Sequence, residues 1–428
     1  MYQQRIFAGI LVTMLFAACS SSKKAINVSA SNFVKENVFH SKVMLEGLLK
    51  TANEKFDTPN GAFPYTINKE GTLITAPIYS WIPGFFPGSL WYAYEYSKDK
   101  DIKAEAIKWT EKLEPLQTYT EHHDLGFMMY CSYGNAYRLT GNEAYRTILV
   151  NSARALSTRF NSTAGVIKSW NSFGSWHGNA TYYFPVIIDN MMNLEMLFFA
   201  SRVSGDDSYK KIAVKHAETT MKNHFRPDYS SYHVVCYDNT TGKVIAKETA
   251  QGYADNSAWS RGQAWAIYGF TMVYRETKDP RFLKTAIGLA NYYINNKNLP
   301  GDKIPYWDFN AEEAGFVPAK NSNAFNVKEK YRDASAAAIT ASALLELSGY
   351  AGRHDKEKYR DFAVATLQSL ASAPYRAGLG TNGNFILKHS VGSIPHNIEV
   401  DAPLVYADYY FLEALLRYDS LLKKGSIF

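Results

Sequence analysis

At 428 residues, 46% hydrophobic and 15% aromatic, the chain has enough apolar surface for one large core. Its formal net charge of +6 comes from basic residues scattered without a run or an aromatic-interleaved stripe, which argues against a nucleic-acid partner. Beyond Cys19 only Cys131 and Cys236 remain, so no disulfide framework is implied and stability must come from packing.

The N-terminus carries one arginine, Arg5, then an apolar stretch from Ile6 to Ala18 that is too short to span a bilayer. This predicts a signal segment over residues 1–18. Phe16-Ala17-Ala18-Cys19 resembles a bacterial lipobox with Phe16 at the usual leucine position. That resemblance implies lipidation at Cys19, a solvated tether over residues 19–36, and a periplasmic or outer-membrane lipoprotein held to the membrane through its N-terminal lipid alone. An ordinary secretory signal with a stray cysteine is the alternative.

One all-α domain is expected over residues 37–428, because apolar residues recur at spacings of three and four from about Asn37 to Leu422. Ser80 to Trp91 reads SWIPGFFPGSLW, a rigid aromatic loop leading into a helix. Helices are then predicted over Gly126–Tyr137, Val186–Ala200, Ala264–Tyr274, Ala334–Leu347 and Pro403–Leu416. Tyr232–Tyr237 and Lys243–Lys247, separated by Asn239-Thr240-Thr241-Gly242, predict a small inserted β-hairpin. The segments starting at Arg138, Arg202 and Arg275 share one grammar, a helix end, a polar turn and an aromatic opening the next helix, with a looser copy over Gly352–Tyr359. They recur roughly every 70 residues, about two helices with their loops, so the repeating unit is a helical hairpin. Hairpins closing on themselves give an α/α toroid; open stacking gives a solenoid.

Asp189 is set among Ile187, Ile188, Met191 and Met192, where burial would raise its pKa toward the range of a general acid. A helix cap or a buried acid satisfied by backbone N–H groups is the plainer alternative. Asp124, in the run His122-His123-Asp124-Leu125-Gly126-Phe127, opens another apolar helix and allows the same two readings. In a toroid, equivalent ends of successive inner helices point into one cavity, where two acids can perturb each other. The histidines, His122, His123, His177 and His233, lack zinc-site spacing, and no metal or cofactor is implied. The chain has no Walker loop, dinucleotide fingerprint or nucleophile elbow. Gln251 to Trp265 reads QGYADNSAWSRGQAW, which puts an amide, a guanidinium, a carboxylate and two indoles at one helix entrance, the mixture a sugar site uses. Trp81, Trp170, Trp176 and Trp265 all fall at loops or helix entrances and can be packing elements or ring platforms.

Together the SWIPGFFPGSLW loop, HHDLGF, IIDNMMNLE, QGYADNSAWSRGQAW and DAPLVYADYYFLEAL resemble glycoside hydrolase family 88, the unsaturated glucuronyl hydrolases, over nearly the whole mature chain. The resemblance implies an (α/α)6 toroid and removal of 4,5-unsaturated uronic acid from the non-reducing end of lyase-generated, glycosaminoglycan-type oligosaccharides. It implies Asp189 as acid and base, with Asp124 as the second carboxylate. It further implies His123 and His233 beside the unsaturated ring, Gln251 and Arg261 as polar contacts, and Trp81, Trp170 and Trp265 as stacking indoles, with Trp176 competing for the place of Trp170. Ser390 and Ser393 resemble a loop meeting the next sugar. The alternatives are a family 105 unsaturated rhamnogalacturonyl hydrolase, in which Arg261-Gly-Gln-Ala-Trp265 more often reads Arg-Gly-Asn-Gly-Trp, and a non-catalytic glycan-binding lipoprotein.

Overall fold

Helices that are apolar on every side alternate along the chain with helices that carry a single apolar stripe, and this alternation builds the architecture. The structure is a computed structural model that describes residues 3–56 and 62–427, with side chains from Val28 onward. The first six helices are α1 (Gln3–Phe56), α2 (Phe85–Ser97), α3 (Lys100–Glu111), α4 (a π segment Gly126–Gly134 continued by Asn135–Thr140), α5 (Glu143–Ser157) and α6 (Leu194–Ser204). Then follow α7 (Asp207–Asn223), α8 (Ser260–Thr277), α9 (Pro280–Ile294), α10 (Ala334–Leu347), α11 (Arg353–Leu370) and α12 (Val405–Lys424).

Even-numbered helices form an inner ring. Every residue of α10 is buried, as is α8 from Ser260 to Val273, and a helix apolar all round has nowhere to sit but the core. Odd-numbered helices lie outside; α9 buries Phe282, Thr285, Ala286, Leu289, Ala290 and Tyr293, one stripe at helical spacing. Each inner helix packs on the next, and α12 packs on α2, so the ring closes as the expected (α/α)6 toroid. The alternative of an open solenoid is set aside by that closure.

The repeated turns all join an inner helix to the outer helix that follows. Asn142, Asp206 and Asp279 each accept a backbone N–H of the next helix, and Asp99 does the same ahead of α3. With that end of the barrel closed by tight turns, the long connections gather at the other end, where the inner helices begin. They carry five small sheets among the described residues. The predicted hairpin is present as Val234–Tyr237 paired with Val244–Glu248, and a third strand, Pro185–Ile187, adds to it.

That third strand corrects the helix expected over Val186–Ala200. The Ile187 N–H is bound by Ser169 Oγ at 2.9 Å and the Ile188 N–H by the His233 carbonyl at 3.0 Å, so the chain stays extended there. A 3-10 segment, Ile188–Asn193, then leads into α6. The expected tether is also corrected: Val34 is fully buried on one helical stripe with Val38, Ser41, Leu45, Leu48 and Ala52, so packing begins before residue 37. The side chains of the signal segment and of Cys19 lie outside the described residues. Among the described residues no helix is long and apolar enough to cross a membrane.

Toward the closed end, Arg275 of α8 donates to both Glu346 oxygens of α10 at 2.9 and 3.0 Å, and Arg417 of α12 lies 3.2 Å from Glu346. Glu413 accepts the hydroxyls of Tyr92, Tyr268 and Ser342, which ties α12 to α2, α8 and α10. Removing one partner of such a network leaves buried charge uncompensated. Glu346→Ala should therefore cost roughly 3–5 kcal/mol, read as a lowered urea midpoint and melting temperature, while an exposed change such as Glu143→Ala should cost little.

Candidate active site

The starts of the inner helices converge on one cavity. Asp124 precedes α4, Asp189 lies in the 3-10 turn before α6, Arg261 is the second residue of α8, Asp333 caps α10, and Tyr406 opens α12. Trp81 stands before α2, its ring 4.9 Å from that of Tyr406 and 5.6 Å from that of Phe127.

Both acids are more than nine-tenths buried, yet their surroundings push them in opposite directions. Burial raises the Asp189 carboxyl to about 7; Arg261 opposes that rise and the nearby Asp124 charge adds to it. For Asp124 burial works the same way, but the neighbouring His123, His122 and Arg159 outweigh it and hold the group below the usual carboxylate range. His123 Nε2 lies 3.2 Å from Asp124 Oδ1 and His122 Nδ1 lies 3.2 Å from Asp124 Oδ2.

Backbone and amide partners set the states of the histidines. Asn193 Oδ1 accepts the Phe127 N–H at 3.0 Å, which turns the Asn193 amide nitrogen toward His123 Nδ1 at 3.5 Å and puts the proton on His123 Nε2, close to Asp124 without a hydrogen bond to it. His233 Nδ1 accepts two backbone N–H groups, from Ala250 and Gln251, both at 3.1 Å, so its proton sits on Nε2, 3.7 Å from Asp189 Oδ2. Burial lowers the His233 pKa far below its ordinary value, and protonation would also oppose those two donors. It is a neutral donor aimed at the acid. Neither His233 Nε2 nor Asp189 Oδ2 has a hydrogen-bond partner, so both remain available to a ligand.

Arg261 occupies a place that the sequence does not indicate. Its guanidinium is 1% exposed, donates to Asp333 at 3.1 Å, to the Val391 carbonyl, and to the Gly392 carbonyl at 2.6 Å, and stacks on Trp259 at 4.5 Å. Expected as a substrate contact, it instead anchors the hairpin formed by Ser390–Ser393 and Ile398–Ala402. Gln251, half-buried, supports the same turn through Gly392 at 3.2 Å. Ser390 Oγ is buried without a partner, while Ser393 Oγ meets His396 Nδ1 at 2.6 Å.

Trp265, expected to stack on substrate, is fully buried with its ring against Phe127 and Tyr410. Its indole nitrogen is buried without a hydrogen-bond partner, close enough to Asp189 to oppose the rise of that carboxyl, and it offers no ring face. Trp81, Trp170 and Trp176 keep part of their surface open. Trp170 lies edge-on to His233 at 6.5 Å, on the acid side, whereas Trp176 faces His396 at 4.8 Å, on the hairpin side. Trp170 thus neighbours His233, and Trp176 neighbours His396. Sequence reasoning missed Asn193, Trp259, Asp333 and Tyr406. Of these, Asp333 was detectable, since Asp before an alanine-rich run is a cap signal. Among the described residues no group of three or more His, Cys, Asp or Glu side chains is arranged to hold a metal.

Residues 59–286 match Glycosyl Hydrolase Family 88. The chain is 42% identical over 417 residues to an unsaturated glucuronyl hydrolase of Formosa agariphila, covering 96% of this chain and 97% of that protein. It is 33% identical over 344 residues to an unsaturated chondroitin disaccharide hydrolase of Streptococcus agalactiae, covering 79% and 81%. A solved unsaturated glucuronyl hydrolase specific for heparin superposes with a TM-score of 0.83 at 46% identity, covering 92% of this chain and 98% of that one.

The raised Asp189 pKa carries a stability consequence. A carboxyl titrating at about 7 when folded and near 3.8 when unfolded favours the folded state below pH 3.8, and that contribution is lost as pH rises through 7. Asp189→Asn should thus raise the melting temperature relative to wild type at pH 8 and make little difference at pH 4. An equal effect at both values would contradict the burial assigned to this group.

Proposed function

The chain belongs to Glycosyl Hydrolase Family 88, and from that premise we infer that it removes 4,5-unsaturated uronic acid from the non-reducing end of lyase-generated oligosaccharides by hydrating the vinyl ether. The substrates are of the glycosaminoglycan type, in keeping with relatives named for chondroitin and heparin. One observation carries the reading: two buried carboxyls at the heads of successive inner helices, one raised to about 7 and the other held ionised. A group near 7 can give a proton and take one back at neutral pH.

Asp189 delivers its proton to C4 of the unsaturated ring, leaving positive charge at C5 and the ring oxygen. The resulting Asp189 carboxylate accepts a proton from water as the oxygen adds to C5, which restores the acid. The hemiketal so formed opens and releases the second sugar with its hydroxyl, so the overall change is addition of one water. Asp124, oriented by His122 and His123, accepts hydrogen bonds from ring hydroxyls and keeps the Asp189 pKa high. His233 donates its Nε2–H beside the reacting carbons. Trp81 and Trp170 present partly open ring faces to the sugar, and Trp265 supports the acid from behind. Arg261 acts through the hairpin it holds.

We also propose that Cys19 is lipidated and places the enzyme on the periplasmic or outer-membrane side of a bacterial envelope, on the strength of the Phe16–Cys19 motif. Cys19→Ala should then move the protein from the membrane fraction to the soluble fraction with unchanged specific activity. Retention on the membrane would remove that proposal.

With an unsaturated disaccharide, loss of the conjugated ultraviolet absorbance follows turnover directly. Asp189→Asn should lower kcat by roughly two to four orders of magnitude with substrate still bound, and Asp124→Asn should also be severely impaired. A saturated glucuronide should not be cleaved at all, since it has no double bond to protonate. Its efficient cleavage would instead assign a conventional two-carboxylate mechanism.

A further inference from the structure

Asp124 and Asp189 stand on separate turns, ahead of α4 and α6, and a short segment, residues 166–171, connects the two. Ser169 bonds to both. Its carbonyl accepts the N–H of His123, the residue before Asp124, at 3.1 Å, and its hydroxyl oxygen accepts the N–H of Ile187, two residues before Asp189, at 2.9 Å. Its own N–H goes to the Pro185 carbonyl at 2.9 Å, and Asn190, the residue after Asp189, donates its amide to the Ile167 carbonyl at 2.7 Å. Ser169 and Asn190 are fully buried. The next residue, Trp170, lies beside His233, so the same segment also fixes an open indole.

Arg159, just beyond the end of α5, grips this segment from the other side. Its guanidinium donates to the Ser169 carbonyl and to Asn171 Oδ1, each at 3.3 Å, and its Nε donates to the Lys168 carbonyl at 2.8 Å. It also bonds the carbonyl of Thr120, in the loop that leads to Asp124. All these acceptors are neutral, although Arg159 is only 8% exposed. The anion reached through them is Glu121, which accepts the Asn171 amide at 3.0 Å. A buried cation without a directly bonded carboxylate is costly, and simple packing does not call for one. Its charge is among those that hold Asp124 ionised.

We propose that Ser169 and Arg159 are positioning residues for the reaction: Ser169 sets the spacing of the two carboxyls by bonding both turns, and Arg159 locks Ser169 to the Asp124 loop. This rests on the hydrolase reading above and adds to it the element that fixes the acid pair.

Like charges in one cavity repel, so a loosened turn lets the carboxyls move apart, and the Asp189 pKa falls as that repulsion weakens. The charged and titratable groups that act on Asp189 are Asp124 from the α4 side, His233 from the hairpin side, Arg261 from α8 and Tyr406 from α12. Of these, Ser169 holds the turn of Asp124.

The test measures kcat, KM and the pH dependence of kcat on an unsaturated disaccharide for the full-length wild type, Ser169→Ala and Arg159→Lys. The control is Ser152→Ala, which removes another fully buried hydroxyl, one bonded within α5 to the Ile148 carbonyl. Rates are taken per folded protein, with the folded fraction read by circular dichroism at the assay temperature. Ser169→Ala should lower kcat by on the order of ten- to a hundredfold with KM within about threefold, because a small displacement of a reacting group is enough for that. It should also move the basic limb of the kcat profile to lower pH. Arg159→Lys keeps the charge but cannot span three carbonyls, so it should move the same limb the same way and raise KM as well, through Asp124. Ser152→Ala should match wild type in both. A basic limb unmoved in Ser169→Ala overturns the proposal and leaves the hydrolase reading standing, because loss of folded protein scales kcat alike at every pH. A limb moved equally by Ser152→Ala does the same. Should Ser169→Ala give no folded protein, Arg159→Lys decides by the same criterion. No wild-type turnover overturns both readings.

Discussion

The site depends on one desolvated ion pair. Arg261 and Asp333 meet at 3.1 Å with almost no exposure, and a charge so placed is tolerable only when its donors and acceptors are all engaged. That requirement does the organising. Asp333 turns its other oxygen to the first N–H groups of α10, and Arg261 turns its remaining donors to the carbonyls of Val391 and Gly392, so two inner helices and the C-terminal hairpin are locked to each other. The same guanidinium limits how far burial can raise the Asp189 pKa. A group expected to meet the substrate is thus the one that gives the cavity its shape and tunes its acid.

Neutral imidazoles complete that environment. His123, His216, His224 and His233 are all buried and all lowered, His123 to about 4, so near neutrality they act as fixed dipoles and add no positive charge that would ionise Asp189. The ring states of His123, His216 and His233 follow from backbone N–H groups and one asparagine amide. Perturbation alone would not have found the site. Asp408 is raised to about 8 by burial, yet its oxygens are taken by the N–H groups of Ile386 and Leu387, and it holds a loop. What distinguishes Asp189 is an oxygen without a partner, opposite a second acid and a donor histidine.

The two ends of the barrel divide the work. Tight, capped turns and the Arg275, Glu346 and Arg417 network hold the inner ring together at one end, leaving the long loops at the other end free to carry strain, unpaired polar atoms and open indoles.

Much of this was legible in the residues themselves. Helical periodicity, polar turns recurring after inner helices, and the inserted hairpin are local patterns, set by side chains three or four apart or by one cap; they pointed to stacked helical hairpins, and the resemblance to family 88 implied that these close as a toroid. Part of the chemical inventory was legible too: Asp124 lies beside His123 and Asp189 beside His233, and the QGYADNSAWSRGQAW segment brings Trp259 and Arg261 next to them. Tertiary structure alone decided what each group does there. The extended start of the segment before α6 depends on Ser169 and His233, the burial of the Trp265 ring on Phe127 and Tyr410, and the inward turn of Arg261 on carbonyls 130 and 131 residues away. Burial, pKa and tautomer are sums over neighbours from distant parts of the chain, and no local pattern contains those neighbours.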